Sequence, residues 1–305
     1  MYFCIDFQVK SRNRHNFEKQ KMKIISNTDE FRSEIQLIKA NSLSIGFVPT
    51  MGALHDGHIA LVNRAVQEND VCIVSIFVNP TQFNNLSDLE KYPRNLELDA
   101  QKLEKTGCKL VFSPRAEDIY TVDDMQTRFE YDFEGLDRVM EGKFRPGHFN
   151  GVVQIVSKLF GYVQPDRAYF GEKDFQQLAI IHHMVKTMKL NVQIVDCPIV
   201  RELSGLALSS RNERLSADEK KIAAGISKVL FESRNFVPAM TPAEVTEYVL
   251  SGINKIQGIR AEYFEIVNAF TLQPAENWML PAIGCIAAFC GDVRLIDNIR
   301  YQVSQ

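Results

Sequence analysis

The residues Val71 to Val78 read V-C-I-V-S-I-F-V, an almost wholly apolar and largely β-branched run. A strand of that kind suits a parallel sheet covered on both faces, because a half-solvated antiparallel strand would alternate polar and apolar positions. At eight residues it is far shorter than the ~20 needed to span a bilayer as a helix. It also closes a repeating pattern. Ser44 to Val48 reads as a strand, and Gly57 to Glu68 as a helix with Ile59, Leu61, Val62, Ala65 and Val66 on its inner side. Strand, helix and strand fit within about 35 residues, the size of a βαβ unit.

The alternation extends in both directions. Lys23 to Ile25 reads as a first strand, and Thr28 to Lys39 as a helix with Phe31, Ile35 and Ile38 inward. Leu96 to Thr106 and Lys109 to Phe112 follow as helix and strand, and Val152 to Phe160, Phe175 to Met188 and Val192 to Val195 continue the series. The fold expected is α/β, a Rossmann-like open parallel sheet with helices on both faces. After about Val200 the character changes. Ser216-Ala217-Asp218-Glu219 and Thr241-Pro242-Ala243-Glu244 are capping boxes ahead of two helices. Tyr263 to Val267, Ile283 to Phe289 and a short Val293 to Ile296 read as strands. These imply a small C-terminal α+β lid domain. The expected division is therefore an N-terminal extension over residues 1–21, a Rossmann-like domain over 22–199 and a lid domain over 200–305. Two domains agree with a length of 305 residues.

Charge constrains the ligand. Basic residues number 35 and acidic residues 38, a net of −3 that gives no general reason to bind nucleic acid or an anionic membrane. The first 23 residues hold six basic and two acidic side chains, so the body is more acidic, about −7. Any anion must be met by a few placed groups. In the leader the apolar stretch precedes the basic one, the reverse of a secretory signal, and its removal is expected to leave activity intact. The six cysteines form no C-x-x-C pair, which points away from a disulfide framework or zinc knuckle and toward buried thiols.

Four segments carry chemistry. Pro49-Thr50-Met51-Gly52-Ala53-Leu54-His55-Asp56-Gly57-His58 joins a strand to a helix at the sheet edge where open α/β folds bind ligands. Free N–H groups at the helix start and the helix dipole favour phosphate there, and His55 and His58 share one face of the first turn. An ordinary loop, or zinc held with a third ligand that is not evident, are the alternatives. Asn79-Pro80-Thr81-Gln82-Phe83 places an amide pair after the buried strand, suited to a hydroxyl- and carboxylate-bearing substrate or simply to a turn. Gly171-Glu172-Lys173-Asp174 is a second strand-to-helix turn, either simply a solvated charged turn or a site with Lys173 as a mobile cation for phosphate and Gln177 one turn further on. Leu208-Ser209-Ser210-Arg211 offers two hydroxyls and a guanidinium as a phosphate cradle, with Gly205 upstream to allow movement, although such triplets are also common in ordinary loops.

Taken with YPRN (92–95), EGKFRPGHFNGV (141–152), VRE (200–202) and RLIDN (294–298), these segments resemble the pantothenate synthetase family of HxGH nucleotidyltransferases, in the family's order from about Met22 to the end. The resemblance implies that ATP and (R)-pantoate form a pantoyl adenylate and pyrophosphate. β-Alanine then displaces AMP to give pantothenate, in the coenzyme A pathway. It implies that Met51 to His58 form the ATP loop, with His58 as proton donor and His55 on the same phosphates. Gln82 and Gln177 would bind pantoate, and Gln82 would also meet β-alanine. Gly171 to Asp174 and Val200 would line the adenosine pocket, Lys173 would meet phosphate, and Leu208 to Arg211 would close over the triphosphate. Mg²⁺ is expected with ATP, its protein ligands unassigned, with Asp99 a candidate behind its waters. A cytoplasmic homodimer is also implied. Leu208 stands where the family usually has methionine, and Ser204 where an acidic residue is common. Two competing readings are an HxGH enzyme that leaves AMP on its product and a non-catalytic nucleotide-binding protein. Release of AMP that depends on β-alanine separates the first, and the presence of His55, His58, Lys173 and Arg211 argues against the second.

Overall fold

The computed structural model describes residues 21–83, 89–126 and 129–301. The expected extension, all but its last residue, lies outside them. The chain divides into two compact units. The first runs through Tyr131 and includes Gly147–Phe170 and Ile181–Cys197; the second holds Asp132–Pro146, Gly171–Ile180 and the chain from Pro198 on. The last crossing thus falls at Cys197/Pro198, near the expected break. Two shorter segments join the second unit through folded contacts that a linear division cannot represent.

The first unit is built on a six-stranded sheet. In chain order its elements are β1 (Lys23–Ile25), α1 (Thr28–Ala40), β2 (Ile45–Thr50), α2 (Asp56–Glu68), β3 (Val71–Ile76), α3 (Leu96–Leu103), β4 (Leu110–Phe112), α4 (His148–Val163), β5 (Arg167–Gly171), α5 (Phe175–Thr187) and β6 (Gln193–Cys197), of which Gly171 and the start of α5, through Ile180, count with the second unit. The strand order is β1-β4-β3-β2-β5-β6, and the pairs β1–β4, β4–β3, β3–β2 and β2–β5 run parallel. From β2 the chain winds outward through β3 to β4, then returns to β5 on the other side of β2. That reversal makes the carboxyl end of β2 a topological switch point, where such sheets open a crevice.

Alternation along β2 explains why both faces are covered. Val48 packs with Val62 and Ala65 of α2 and with Val74, Leu103 and Val111. Its neighbour Phe47 faces the other way and meets Phe160 of α4 edge-on, with ring centroids 6.2 Å apart. On that second face Phe31 of α1 stacks on Phe112 of β4 at 4.0 Å. The two-sided burial read from Val71 to Val78 is therefore observed, although the ladder of β3 stops at Ile76.

The second unit carries α6 (Ala217–Ser233), α7 (Pro242–Asn254) and an antiparallel sheet β7 (Ile259–Asn268), β8 (Ala282–Cys290) and β9 (Val293–Tyr301). Leu230, Val249, Ile253, Ile286 and Leu295 are among its buried core. Both expected capping boxes form, Ser216 with Glu219 and Thr241 with Glu244. The last strand is nine residues long rather than four. Its continuation contains Asp297 and Asn298, polar residues that are nonetheless buried. The five described cysteines are free and buried, and among the described residues no helix is long and apolar enough to cross a membrane.

Candidate active site

In the first unit, β2 ends at Thr50, whose hydroxyl donates to the Ser75 carbonyl (2.7 Å) and accepts the Gly52 N–H (3.2 Å). The chain then turns through two left-handed residues, Gly52 (φ 81°) and Ala53 (φ 49°). Glycine is required at the first, because a Cβ there would lie 3.0 Å from Asp99 Oδ2 and 3.1 Å from Ile76 Cγ2. The turn is held by Asp99, in the first turn of α3 and only 2% exposed. Its two carboxylate oxygens accept the N–H groups of Ala53 (2.9 Å) and Leu54 (2.7 Å). Three residues on, Lys102 Nζ donates to the Leu54 carbonyl. Asp99 therefore spends both oxygens on the loop backbone.

The histidines do more than share a face. His55 is the N-cap of α2, and His58 stands at its third position. His55 Nδ1 accepts the Gly57 N–H (3.1 Å), and His58 Nδ1 accepts the His55 N–H (3.3 Å), so the pair forms a reciprocal capping box. Their ring centroids are 4.0 Å apart with planes inclined by 35°. Of the free amides expected at the helix start, that of Gly57 is taken by His55 Nδ1. The N–H groups of Ala53 and Leu54 go to Asp99, and those of His55 and Gly57 go to imidazole nitrogens. The chemical consequence is a fixed tautomer: with Nδ1 accepting, each neutral ring carries its proton on Nε2. The site thus supplies two imidazole N–H donors.

Beyond β3, Asn79 caps the short turn Pro80–Gln82 through its side-chain oxygen. Its Nδ2 donates to Gln82 Oε1 (3.2 Å) and to the Gly151 carbonyl (3.0 Å), and Tyr120 donates to its Oδ1 (2.7 Å). Burial pushes the Tyr120 hydroxyl up to about 12, so it remains a donor. Gln82 Nε2 reaches Met51 Sδ at 2.8 Å, and the Gln82 carbonyl lies 2.8 Å from His148 Nδ1. Helix α4 approaches so closely that a Cβ on Gly151 would sit 2.5 Å from the Thr81 carbonyl. Gln82 is therefore set by a buried amide network that also unites Met51 with the FVNPTQF and GHFNGV segments. A cleft of about 450 Å³ lies at these strand ends, lined by Met51, Gly52, Phe77, Pro80, Arg94 and Asp99 among others.

In the second unit, Glu172–Asp174 forms a single 3₁₀ turn. Its carbonyls at Glu172 and Lys173 accept both hydrogens of the Asn298 amide (2.7 and 3.0 Å), and the Glu172 carboxylate pairs with Arg300 (2.9 Å). Lys173 Nζ lies 3.2 Å from Asp174 Oδ2. Of the adjacent glutamines, Gln176 is structural, donating to the carbonyls of Leu136 (2.7 Å) and Val139 (2.8 Å). Gln177 is only half-buried. Val200 and Leu208, far apart as motifs, meet across a hairpin: the Leu208 N–H donates to the Val200 carbonyl at 3.0 Å. Ser209 caps the turn Ser210–Arg214 by accepting the Arg211 N–H at 3.3 Å, and Ser210 is buried. Gly205, the expected hinge, is left-handed at φ 92° and its carbonyl is held by Arg201.

Sequence reasoning assigned no role to a charged cluster of the same unit. Glu141 receives two hydrogen bonds from Arg294 (2.8 and 2.7 Å) and one from Tyr263 (2.8 Å). Burial would raise its carboxyl, yet Arg294, with help from Arg145, outweighs that and holds it at about 2. Arg145 touches Glu141 only at 3.5 Å, and burial followed by the nearby positive charges of Arg211 and Arg294 lowers its affinity for a proton. A guanidinium so crowded by like charge favours an anion beside it. Only the polar strings EGKFRPGH and RLIDN, unusual for packed elements, signalled this cluster.

The chain matches the family model for pantoate-beta-alanine ligase over residues 23–300. It is 54% identical over 285 residues to the pantothenate synthetase of Bacteroides fragilis strain YCH46, covering 93% of this chain and all of that one. The corresponding enzyme of Porphyromonas gingivalis ATCC 33277 is 51% identical over 283 residues, covering 92% of this chain and all of its own. Among solved structures, pantothenate synthetase from Thermus thermophilus superposes with a TM-score of 0.85 at 40% identity, covering 92% of this chain and 100% of that chain. A pantoate-beta-alanine ligase from Francisella tularensis, complexed with beta-gamma ATP and beta-alanine, superposes at 0.76 and 40% identity, covering 92% and 97%.

Proposed function

The chain belongs to the pantoate-beta-alanine ligase family, and from that premise we propose how its own residues carry out the ATP-dependent joining of pantoate to β-alanine. A carboxylate is a poor electrophile for an amine, so the reaction runs in two steps. A carboxylate oxygen of pantoate attacks the α-phosphorus of ATP and pyrophosphate leaves. The β-alanine amine then attacks the acyl carbon of the resulting pantoyl adenylate, and AMP leaves with the oxygen that pantoate supplied.

The observation that carries this proposal is the histidine pair. Backbone N–H groups occupy both Nδ1 atoms, so His55 and His58 present Nε2–H donors at the switch point of the sheet. Donors of that kind stabilise charge growing on the α-phosphate and the departing pyrophosphate, a contribution that fixed groups make without reorganising. His58 is assigned the role of proton donor and His55 that of a second phosphate contact. Met51 to Gly57 form the backbone around them, kept in place by Asp99. Gln82, held by Asn79, both donates and accepts, which suits the hydroxyls and carboxylate of pantoate and the amine of β-alanine.

On the second unit, Lys173 and Arg211 are assigned to ATP's phosphates, Ser209 and Ser210 to the same oxygens, Gly171, Glu172, Asp174, Val200 and Leu208 to the nucleoside, and Gln177 to pantoate. Mg²⁺ is assigned to ATP through phosphate oxygens and water. When bound, it would neutralise charge on the phosphates. The proposal extends to a homodimer working in the cytoplasm.

The test is AMP release measured with ATP, pantoate and β-alanine together and with each omitted. AMP is expected to accumulate catalytically only with all three. Accumulation of an adenylylated product without β-alanine, and no free AMP with it, would favour the nucleotidyltransferase alternative.

A further inference from the structure

We propose that Asn298 is a positioning residue for Lys173, and that Arg201 and Asp297 set Asn298 so that one buried brace holds both phosphate-binding segments of the second unit. The inference rests on Lys173 being a ligand of ATP's phosphates.

Asn298 is 4% exposed and Asp297 6%, in the half of β9 where a packed strand would carry apolar side chains. Burying them is costly unless every polar atom is met, and each contact made is specific. Asn298 directs its two amide hydrogens to two consecutive carbonyls, those of Glu172 and Lys173. Its own N–H donates to Asp297 Oδ1 at 2.7 Å. The Asp297 carboxylate takes a fork from Arg201, Nη1 at 2.6 Å and Nη2 at 2.8 Å, the geometry in which a guanidinium fixes direction as well as charge. Arg201 then donates to the Gly205 carbonyl (3.1 Å) and the Asn298 carbonyl (3.3 Å). Arg201 also bridges Ala207, the residue that leads into Leu208 to Arg211.

Two neighbours complete the brace. Arg300 pairs with the Glu172 carboxylate, so β9 grips the turn by side chain as well as backbone. Asn212 Nδ2 donates to the Ala207 carbonyl (3.0 Å), tying the serine-arginine turn to the same hairpin. The contacts thus converge on the backbone of the residue that carries the phosphate-binding amine and on the root of the loop that carries Arg211. Simple core packing would not require the second amide hydrogen to be aimed at Lys173.

The test is binding of a non-hydrolysable ATP analogue to the full chain by calorimetry, with N298A, K173A and the double variant. Losing two amide hydrogen bonds should weaken analogue binding about tenfold in N298A, while the pantoate KM stays within about twofold. Because Asn298 acts through Lys173, the double variant should bind no more weakly than K173A. Effects that multiply, or an N298A affinity within twofold of the parent, would overturn the inference. Failure of the underlying assignment has a different signature, namely K173A binding the analogue like the parent. Should N298A lack native circular dichroism, N298D serves instead. It keeps the volume, removes both donors and sets a carboxylate against two carbonyls, so a loss at least as large is expected, and unchanged affinity would refute the proposal.

Discussion

Asp99→Asn is the substitution most revealing of how the loop from Met51 to His58 is held. The native carboxylate, 2% exposed, accepts two backbone N–H groups at 2.9 and 2.7 Å. Asparagine keeps the shape and one acceptor but turns an NH₂ toward the other amide. One charge-assisted bond is lost, about 1.5–3 kcal/mol, and a buried N–H is left without an acceptor, about 1–3 kcal/mol more. The clamp also opposes local strain, since Ala53 is left-handed, a conformation costing an L-residue roughly 1–2 kcal/mol. A net loss of about 3 kcal/mol falls on one loop rather than on the whole domain. If the clamped loop is the form that binds ATP, its falling population raises the apparent ATP constant in proportion. We expect the ATP KM to rise about a hundredfold in initial-rate assays of AMP formation at saturating pantoate and β-alanine, with a fall in Tm of a few degrees. An ATP KM within twofold of the parent would refute the idea that Asp99 holds the loop in its binding form.

Three other outcomes are expected. His58→Ala should lower kcat by about 10²–10³, the scale of one lost transition-state donor, and an unchanged turnover number would remove His58 from the reaction. Gln177→Ala should raise the pantoate KM while leaving folding intact, because Gln177 is half-buried whereas Gln176 holds the backbone; an unaltered pantoate KM contradicts its assignment. Glu141 titrates at about 2 against an ordinary 4.5, so its stabilising effect is complete above about 4.5 and fades as pH falls toward about 2, a loss of up to roughly 3 kcal/mol. Denaturant titrations at pH 6 and pH 3 should show the parent losing more stability than Glu141→Gln, and equal losses would mean that the Arg294 pair contributes nothing to acid sensitivity.

Local sequence rules recovered much of this protein because most of its elements obey them. The run from Val71, the inward faces of α1 and α2 and the two capping boxes each follow from periodicity or end chemistry within a dozen residues. The segment from Met51 to His58 stood out for the same reason, lying between a strand and a helix. What escaped depends on partners distant in sequence. Asp99 lies 45 residues beyond Leu54, and the sequence pointed to it only as a candidate behind the waters of Mg²⁺, not as the clamp on the loop backbone. His55 and His58 stood out in the sequence, but capping rules are written for serine, threonine and glutamate, so their grip on the helix start was not legible. The expected last strand ended at Ile296 because Asp297 and Asn298 break the apolar alternation, although Arg201 and the turn carbonyls satisfy both inside. The membership of residues 132–146 and 171–180 in the second unit rests on such contacts too, among them Arg294 on Glu141 and Asn298 on Lys173.

The central claim is that pantoate is activated as an acyl adenylate. Pantoate labelled with ¹⁸O in its carboxylate, turned over with ATP and β-alanine, tests it most directly by mass spectrometry of the products. One labelled oxygen is predicted in the phosphate of AMP and the other in the amide carbonyl of pantothenate. Label appearing in pyrophosphate or inorganic phosphate, or AMP free of it, would contradict the account.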